Sequence, residues 1–183
     1  MAAVYYCAQS LDGYIARADD SIDWLTGYEG EYAGSDDLPL GENYERFMAG
    51  IGALVMGSAT YEFVLALDTW AYPDHPVWVL TSRPLPVPDG ADVRIVSGDV
   101  AALHGDIVAS AGDRDVWVVG GGNVASQYAA AGLLDRVEVT VVPVVLGAGK
   151  PLFDDPLPAP PLQLVSTRPF ANGMVELRYD VVR

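Results

Sequence analysis

The 183 residues predict an α/β fold, a mixed and mainly parallel sheet with helices on both faces and an antiparallel hairpin at its C-terminal edge. Three observations carry this. Short apolar runs rich in β-branched and aromatic residues alternate with segments of helical spacing, as βα units do. Several of those runs end in glycine or hydroxyl residues just before a helical pattern or turn, at "VMGSATYE", "VLTSRPL" and "VWVVGGGNVASQY". The last two apolar runs, "LQLVSTRPF" and "GMVELRYDVV", meet at Asn172-Gly173, and a two-residue turn joins only antiparallel neighbours.

Taken in order, "AAVYYCAQS" reads as the first strand. The acidic segment "ARADDSIDWLTGYEGEYAGSDDLPLGE" reads as a solvated loop whose aromatics, Trp24, Tyr28 and Tyr32, wall a pocket. "GENYERFMAGI" places Tyr44, Phe47, Met48 and Ile51 at helical spacing. "GALVMG" is a buried strand and "TYEFVLALD" a helix, followed by the strands "PVWVLTS" and "ADVRIVS". "DVAALHGDIVASAG" is a helix with Asp99 as N-cap and Gly112 as its stop. "DVWVVG" is the next strand, "NVASQYAAAG" a helix ended by Gly132, and "DRVEVTVVPVVLG" a further strand. The proline-rich "DDPLPAPPLQ" is a surface connection, since too little chain follows it for a second domain. One domain over residues 1–183 is expected.

Composition removes several function classes. The formal charge of −15 argues against nucleic acid or an anionic membrane as partner, because both need a basic footprint. No apolar run reaches the roughly 18 residues of a membrane span. "MAAVYYCAQSLDG" has neither the basic start nor the long apolar stretch of a signal peptide. Cys7 is the only cysteine, so no intrachain disulfide forms and a cytoplasmic location is expected. His75 and His104 are far apart and read as surface residues, with no zinc set and no metal expected. Neither a G-x-S-x-G elbow nor a Walker sequence is present, and nothing selects a catalytic carboxylate pair.

Gly120-Gly121-Gly122-Asn123-Val124-Ala125 fits G-x-G-x-x-A between a strand and a helix. Glycines let phosphate approach the backbone, and a helix N-terminus offers free N–H groups and a favourable dipole. The same spacing also serves a tight βα turn with no ligand. A dinucleotide fingerprint usually follows the first strand of its unit, with an acid about 20 positions on. Here the glycines come two-thirds along the chain and Glu138 is early. At "VMGSATYE", Ser58 or Thr60 is placed to cap a helix. At "VLTSRPL", the hydroxyls of Thr81 and Ser82 and the guanidinium of Arg83 suit a phosphate monoester. Three such corners at strand carboxyl ends mark where open α/β sheets bind ligands.

"QSLDGYIA", "VMGSATYE", "VWVLTSRPL", "VWVVGGGNVASQY" and "VTVVPVVLGAGKPLF", in this order, resemble the RibD C-terminal domain family. Those proteins are reductases of riboflavin biosynthesis and share the three-layer fold of dihydrofolate reductase. The resemblance covers nearly the whole chain. It implies NADPH as cofactor, with its pyrophosphate on Gly120, Gly121, Gly122, Asn123 and Val124, and Gln127 near the adenine. Ala8 and Ile15 match positions that touch the nicotinamide. Gly57, Ser58 and Thr60 match the first phosphate loop, and Thr81, Ser82 and Arg83 the pocket of the 2′-phosphate. Thr140 matches a residue that faces the substrate.

Two departures stand out. The G-R-x-T loop of dihydrofolate reductases is here Gly57-Ser58-Ala59-Thr60, so more of the phosphate charge falls to Arg83. Asn43 stands where folate reduction uses a carboxylate, and an amide cannot serve as a general acid; Glu42 lies about 100° round the helix from it. The expected activity is reduction of the phosphoribosylamino-pyrimidine of riboflavin synthesis, or of a related heterocycle. The alternatives are a dihydrofolate or pteridine reductase-like enzyme and a nucleotide-binding protein of this fold without turnover. Asp12, in "SLDG", is the candidate proton donor, and it is equally an ordinary turn aspartate. Lys150, the only lysine, is the candidate cation for a substrate phosphate, beside Thr140 on the same strand. A homodimer through the apolar terminal strands is expected.

Overall fold

The computed structural model describes residues 1–29, 40–157 and 162–182. Tyr32 therefore lies outside the described residues, as do residues 158–161 of the proline-rich connection. The chain opens with β1 (Ala3–Ser10), β2 (Tyr14–Ala16) and a one-turn helix α1 (Asp23–Thr26). Helix α2 (Leu40–Ala49), β3 (Ile51–Gly57), α3 (Ser58–Leu65), β4 (Val77–Leu80) and β5 (Val93–Val96) follow. The remainder is α4 (Val100–Ala111), β6 (Asp115–Gly120), α5 (Gly122–Ala130), β7 (Arg136–Val142), β8 (Lys150–Pro151), β9 (Gln163–Pro169) and β10 (Val175–Asp180).

Eight strands form one sheet in the order β5-β4-β3-β6-β1-β7-β10-β9. Neighbours from β5 to β7 are parallel, and β10 runs antiparallel to both β7 and β9. The start of β1 is clamped between its two neighbours, because Asp115 and Asp135 accept the backbone N–H groups of Ala2 and Ala3 at 2.7 and 2.8 Å. The run Ile51–Met56 is buried throughout, as a central strand covered on both faces requires. Phe47 of α2 and Tyr61 and Val64 of α3 pack on one face, and Ile107 of α4 and Val124 and Tyr128 of α5 pack on the other.

Most local signals act as read. Asp99 caps α4 by accepting the Ala101 N–H at 2.8 Å, and Gly112 ends it at φ 68°. The terminal hairpin closes through three residues rather than the expected two, Ala171, Asn172 and Gly173 between the bonded Phe170 and Met174, with Gly173 at φ 84°. Four further expectations need correction. Neither Ser58 nor Thr60 caps α3, whose N-cap is Gly57 without a side-chain bond. The strand expected over 135–147 stops at Val142, because Pro143 has no N–H to give the ladder. The chain then forms β8, which pairs with β2 in a separate two-stranded sheet, so Lys150 is not on the strand of Thr140. His75 and His104 are half-buried rather than on open surface, with the His104 ring against Tyr128 at 5.8 Å. Among the described residues no helix is long and apolar enough to cross a membrane.

Candidate functional site

Adjacent parallel strands β3 and β6 send their following helices to opposite faces, α3 to one and α5 to the other. Such a switch opens a crevice at the carboxyl ends of the strands. A cavity of about 630 Å³ lies there. One end is lined by Ala8, Ile15, Thr60 and the run Gly120–Asn123, the other by Tyr6, Tyr44, Phe63, Tyr72 and Trp117.

The first end has the form of an anion cradle. Neither α3 nor α5 has a side-chain cap, so their leading N–H groups are left for another acceptor. Gly121 turns the chain at φ 88°, where an L side chain is strained. A Cβ on Gly120 would press on the Thr60 hydroxyl at 3.1 Å, and one on Gly122 would meet the Pro151 carbonyl at 2.6 Å. Val124 does not line the cavity; its Cγ2 packs under Gly57 and Gly121 and holds the two loops together. Gly57 and Ser58 likewise sit behind the lining, which Ala59 and Thr60 provide.

A second hollow of about 200 Å³ is lined by Thr81, Ser82, Ser97, Gly98 and Gln127. It brings together two corners that lie far apart in sequence, and Gln127 is tied to the glycine loop by donating to Asn123 at 2.7 Å. Arg83 is not among its lining residues. Its guanidinium instead forms a two-pronged pair with Glu62, at 3.0 and 2.7 Å, on the exposed surface. The residues present thus fit a dinucleotide phosphate, with one cation that must be released from Glu62 before it can contribute.

The other end is a slot walled by aromatic rings. Trp117 stands edge-on to Tyr44 at 6.0 Å and to Tyr72 at 5.9 Å, and its indole N–H donates to the Tyr6 carbonyl at 2.9 Å. Tyr6 stacks on Phe47 at 4.3 Å. Behind Tyr6 lies a buried polar network that crosses the sheet. Ala8, Thr140, Glu176 and Arg168 are paired across β1, β7, β10 and β9, and side chains paired this way share one face. Asn43, from α2, joins the row: its Nδ2 donates to Glu176 at 2.6 Å and its Oδ1 accepts from Arg168 at 2.5 Å. The Tyr6 hydroxyl is within hydrogen-bonding reach of Asn43 and Thr140; burial, then the nearby Glu176 carboxylate, pushes it up to about 12.

This geometry reassigns several residues. Asn43 and Thr140 are buried behind Tyr6 and do not line the cavity. Asp12 is spent on the loop: it accepts from the Ser10 hydroxyl at 2.7 Å and from the N–H groups of Leu146 and Gly147 at 3.1 and 2.7 Å. Those bonds, the Ser10 bond first, hold its carboxyl down at about 2, so it carries no proton to give at neutral pH. Lys150 is at the cavity, 3.6 Å from Asp20, and its neighbour Pro151 stands over Gly122. Glu138, considered above for a ribose, is held between Arg178 at 3.4 Å and Arg136 at 3.7 Å. Among the described residues no three His, Cys, Asp or Glu side chains converge on a metal position.

Comparison with known proteins agrees with this arrangement. The model of the RibD C-terminal domain matches residues 3–176. The chain is also 33% identical over 178 residues to the uncharacterized protein YwjB of Bacillus subtilis, covering 96% of this chain and 95% of that one. This chain belongs to the RibD C-terminal domain family. A Shewanella sp. PV-4 protein whose name assigns it provisionally to riboflavin biosynthesis has the same fold at a TM-score of 0.82 and 28% identity, with both chains fully covered. Enterococcus faecalis dihydrofolate reductase, solved with NADP(H), superimposes at a TM-score of 0.63 and 17% identity over 98% of this chain and 95% of that one. The fold is therefore the dihydrofolate reductase-like α/β architecture.

As a RibD C-terminal domain, the chain has a site to which sequence reading contributed the phosphate corners but not Tyr6, Glu176 or Arg168. A signal for Glu176 was present. In "VEVT" and "VELR" the charged residues Glu138, Glu176 and Arg178 fall at alternate positions of strands that are otherwise apolar. In a sheet covered on both faces, such charges must find partners inside.

Proposed function

We propose that this chain is an NADPH-dependent oxidoreductase of a small heterocycle, acting in the manner of a 5-amino-6-(5-phosphoribosylamino)uracil reductase or on a related ring. One observation carries the reading: a single cavity joins an uncapped glycine and helix cradle to a slot walled by aromatic rings. Family membership and the fold shared with an NADP(H)-bound reductase support it. NADPH, when bound, supplies the reducing equivalent. The chain's own residues do the rest. Gly120–Asn123 and the start of α3 would hold the pyrophosphate through backbone N–H groups. Thr81 and Ser82, with Gln127 beside them, would take the adenosine end. Ala8 and Ile15 offer small apolar surfaces to the nicotinamide. Trp117, Tyr44 and Tyr72 exclude water and hold a flat substrate ring. Tyr6 donates a hydrogen bond to a carbonyl or imine nitrogen of that ring, and Asn43, Glu176, Arg168 and Thr140 fix the hydroxyl in place.

The test is NADPH oxidation with a panel of pyrimidine and pterin substrates, dihydrofolate included. Turnover of a pyrimidine or related bicyclic ring is expected. Dihydrofolate should turn over slowly or not at all, because the residue standing where folate reduction uses a carboxylate is Asn43, an amide with no proton to give. NADPH bound without oxidation in the presence of any ring would identify a nucleotide-binding protein instead.

A further inference from the structure

Among the described residues, the charged side chains that line the cavity are Asp20, Lys150 and Asp154. Backbone N–H groups in the cradle can orient a pyrophosphate, but they bring only partial charge to it. Arg83 is paired with Glu62 and lines neither hollow. Lys150 is therefore the cation at hand, and β8 sets it between the two parts of the cavity that a dinucleotide would join. On one side it pairs with Ala16 of β2, the residue after Ile15, and Gly149 leaves no room there for a Cβ against the Ala16 carbonyl. On the other side the Pro151 carbonyl lies over the glycine loop, where a Cβ on Gly122 would meet it at 2.6 Å. The Lys150 ammonium is 3.6 Å from Asp20, and both side chains are about half exposed, at 48% and 54%. A pair so exposed contributes little, so a phosphate group can take the lysine from it.

Resting on the reading of this cavity as a dinucleotide site, we infer that Lys150 is the counter-ion of the cofactor pyrophosphate, held by Asp20 until the cofactor arrives. The sequence suggested a different anion, a phosphate on the substrate, because it put Lys150 on the strand of Thr140. The lysine stands instead on β8, beside the glycine loop and Ala16, while Thr140 is buried behind Tyr6. A compact ammonium on a flexible four-carbon stem suits the exchange of a carboxylate oxygen for a phosphate oxygen, since the side chain can turn while β8 stays in place. The need for such a cation is greater in this chain than in most. Its formal charge is −15, so an incoming dinucleotide is repelled at long range, and Asp154 faces Gly122 within the cradle itself. Lys150 would then act on the part of the cofactor that NADPH and NADH share, and Arg83 on the part that differs.

The experiment is titration of NADPH and of NADH, followed by nicotinamide emission, into the wild-type protein and three variants. These are Lys150→Met, Lys150→Arg and the double variant Lys150→Met/Asp20→Asn. Both positions are half exposed, and asparagine tolerates the φ of 67° at Asp20. Lys150→Met is expected to weaken both cofactors by the same factor, about tenfold for a lost charge-assisted bond. Lys150→Arg should keep most of the affinity. The double variant leaves the net charge of the lining as it was, and it should stay as weak as Lys150→Met. Recovery of wild-type affinity in the double variant would mean that the lysine only neutralises Asp20, and overturns the inference. Unchanged NADPH binding in Lys150→Met overturns it too, as does a loss seen with NADPH and not with NADH. In these three cases the wild-type protein still binds, so the cofactor reading survives. A wild-type protein that binds neither cofactor overturns both.

Discussion

A phenol raised to about 12 by burial and by the Glu176 carboxylate keeps its proton across the range in which such an enzyme works, so Tyr6 can act only as a donor. Its contribution is present at neutral pH and is lost only as pH climbs toward 12. A Tyr6-dependent limb in the rate profile is therefore not expected between about pH 6 and 9. Tyr6→Phe retains the ring that stacks on Phe47 and removes only the hydroxyl. We expect kcat to fall ten- to hundredfold, about 1.4–2.8 kcal/mol, with a smaller change in KM; an unchanged kcat would mean that the Tyr6 hydroxyl does not polarise the reacting group. Arg83 makes the second prediction at this scale. Its pair with Glu62 is half-exposed on both sides, where such pairs are worth little, so a 2′-phosphate can compete for it. Glu62→Gln should tighten NADPH binding a few-fold, and Arg83→Ala should weaken it by about 1.5 kcal/mol, near tenfold. NADH titrated against the same variants should change in neither; parallel shifts for both cofactors would place Arg83 away from the 2′-phosphate.

At the scale of elements, the cradle depends on how closely β8 approaches the start of α5. Gly122 makes room for the carbonyls of Pro151 and Leu152, which a Cβ would meet at 2.6 and 3.2 Å. Backbone cannot yield as a side chain can, so Gly122→Ala should push the 150–153 segment outward. A loss of about 1–3 kcal/mol in stability is expected from this overpacking, together with most of the NADPH affinity. Thermal unfolding and a cofactor titration on one sample would check both; wild-type values for each would mean that β8 is free to move. The same contact shows what was legible beforehand. The strand-to-helix turn at the glycines and the Asp99 cap are local signals, and each forms where it was read. β8 has two residues and exists only because β2, more than a hundred positions earlier, pairs with it. Asn43 and Glu176 are 133 residues apart, and only the sheet order makes them partners. Nothing local distinguishes an asparagine that meets a ligand from one that anchors a tyrosine.

For the whole molecule, the sheet ends in β9, an edge strand that leaves Leu164 and Val165 about half exposed, at 52% and 50%. An apolar edge of this kind is a template for pairing, and we propose a symmetric homodimer formed through the terminal strands. Light scattering should give twice the chain mass at micromolar concentration. Val165→Lys should shift the protein toward monomer without disturbing the cavity, and a wild-type monomer would set the proposal aside. The central claim is that the crevice at the ends of β1, β3 and β6 is a cofactor and substrate site. It is tested most directly by the crystal structure of the protein soaked with NADPH. The pyrophosphate is expected against Gly120–Asn123, the nicotinamide beside Ala8 and Ile15, and the adenosine end at Thr81, Ser82 and Gln127. NADPH found elsewhere on the molecule, or no NADPH bound at millimolar concentration, would contradict it.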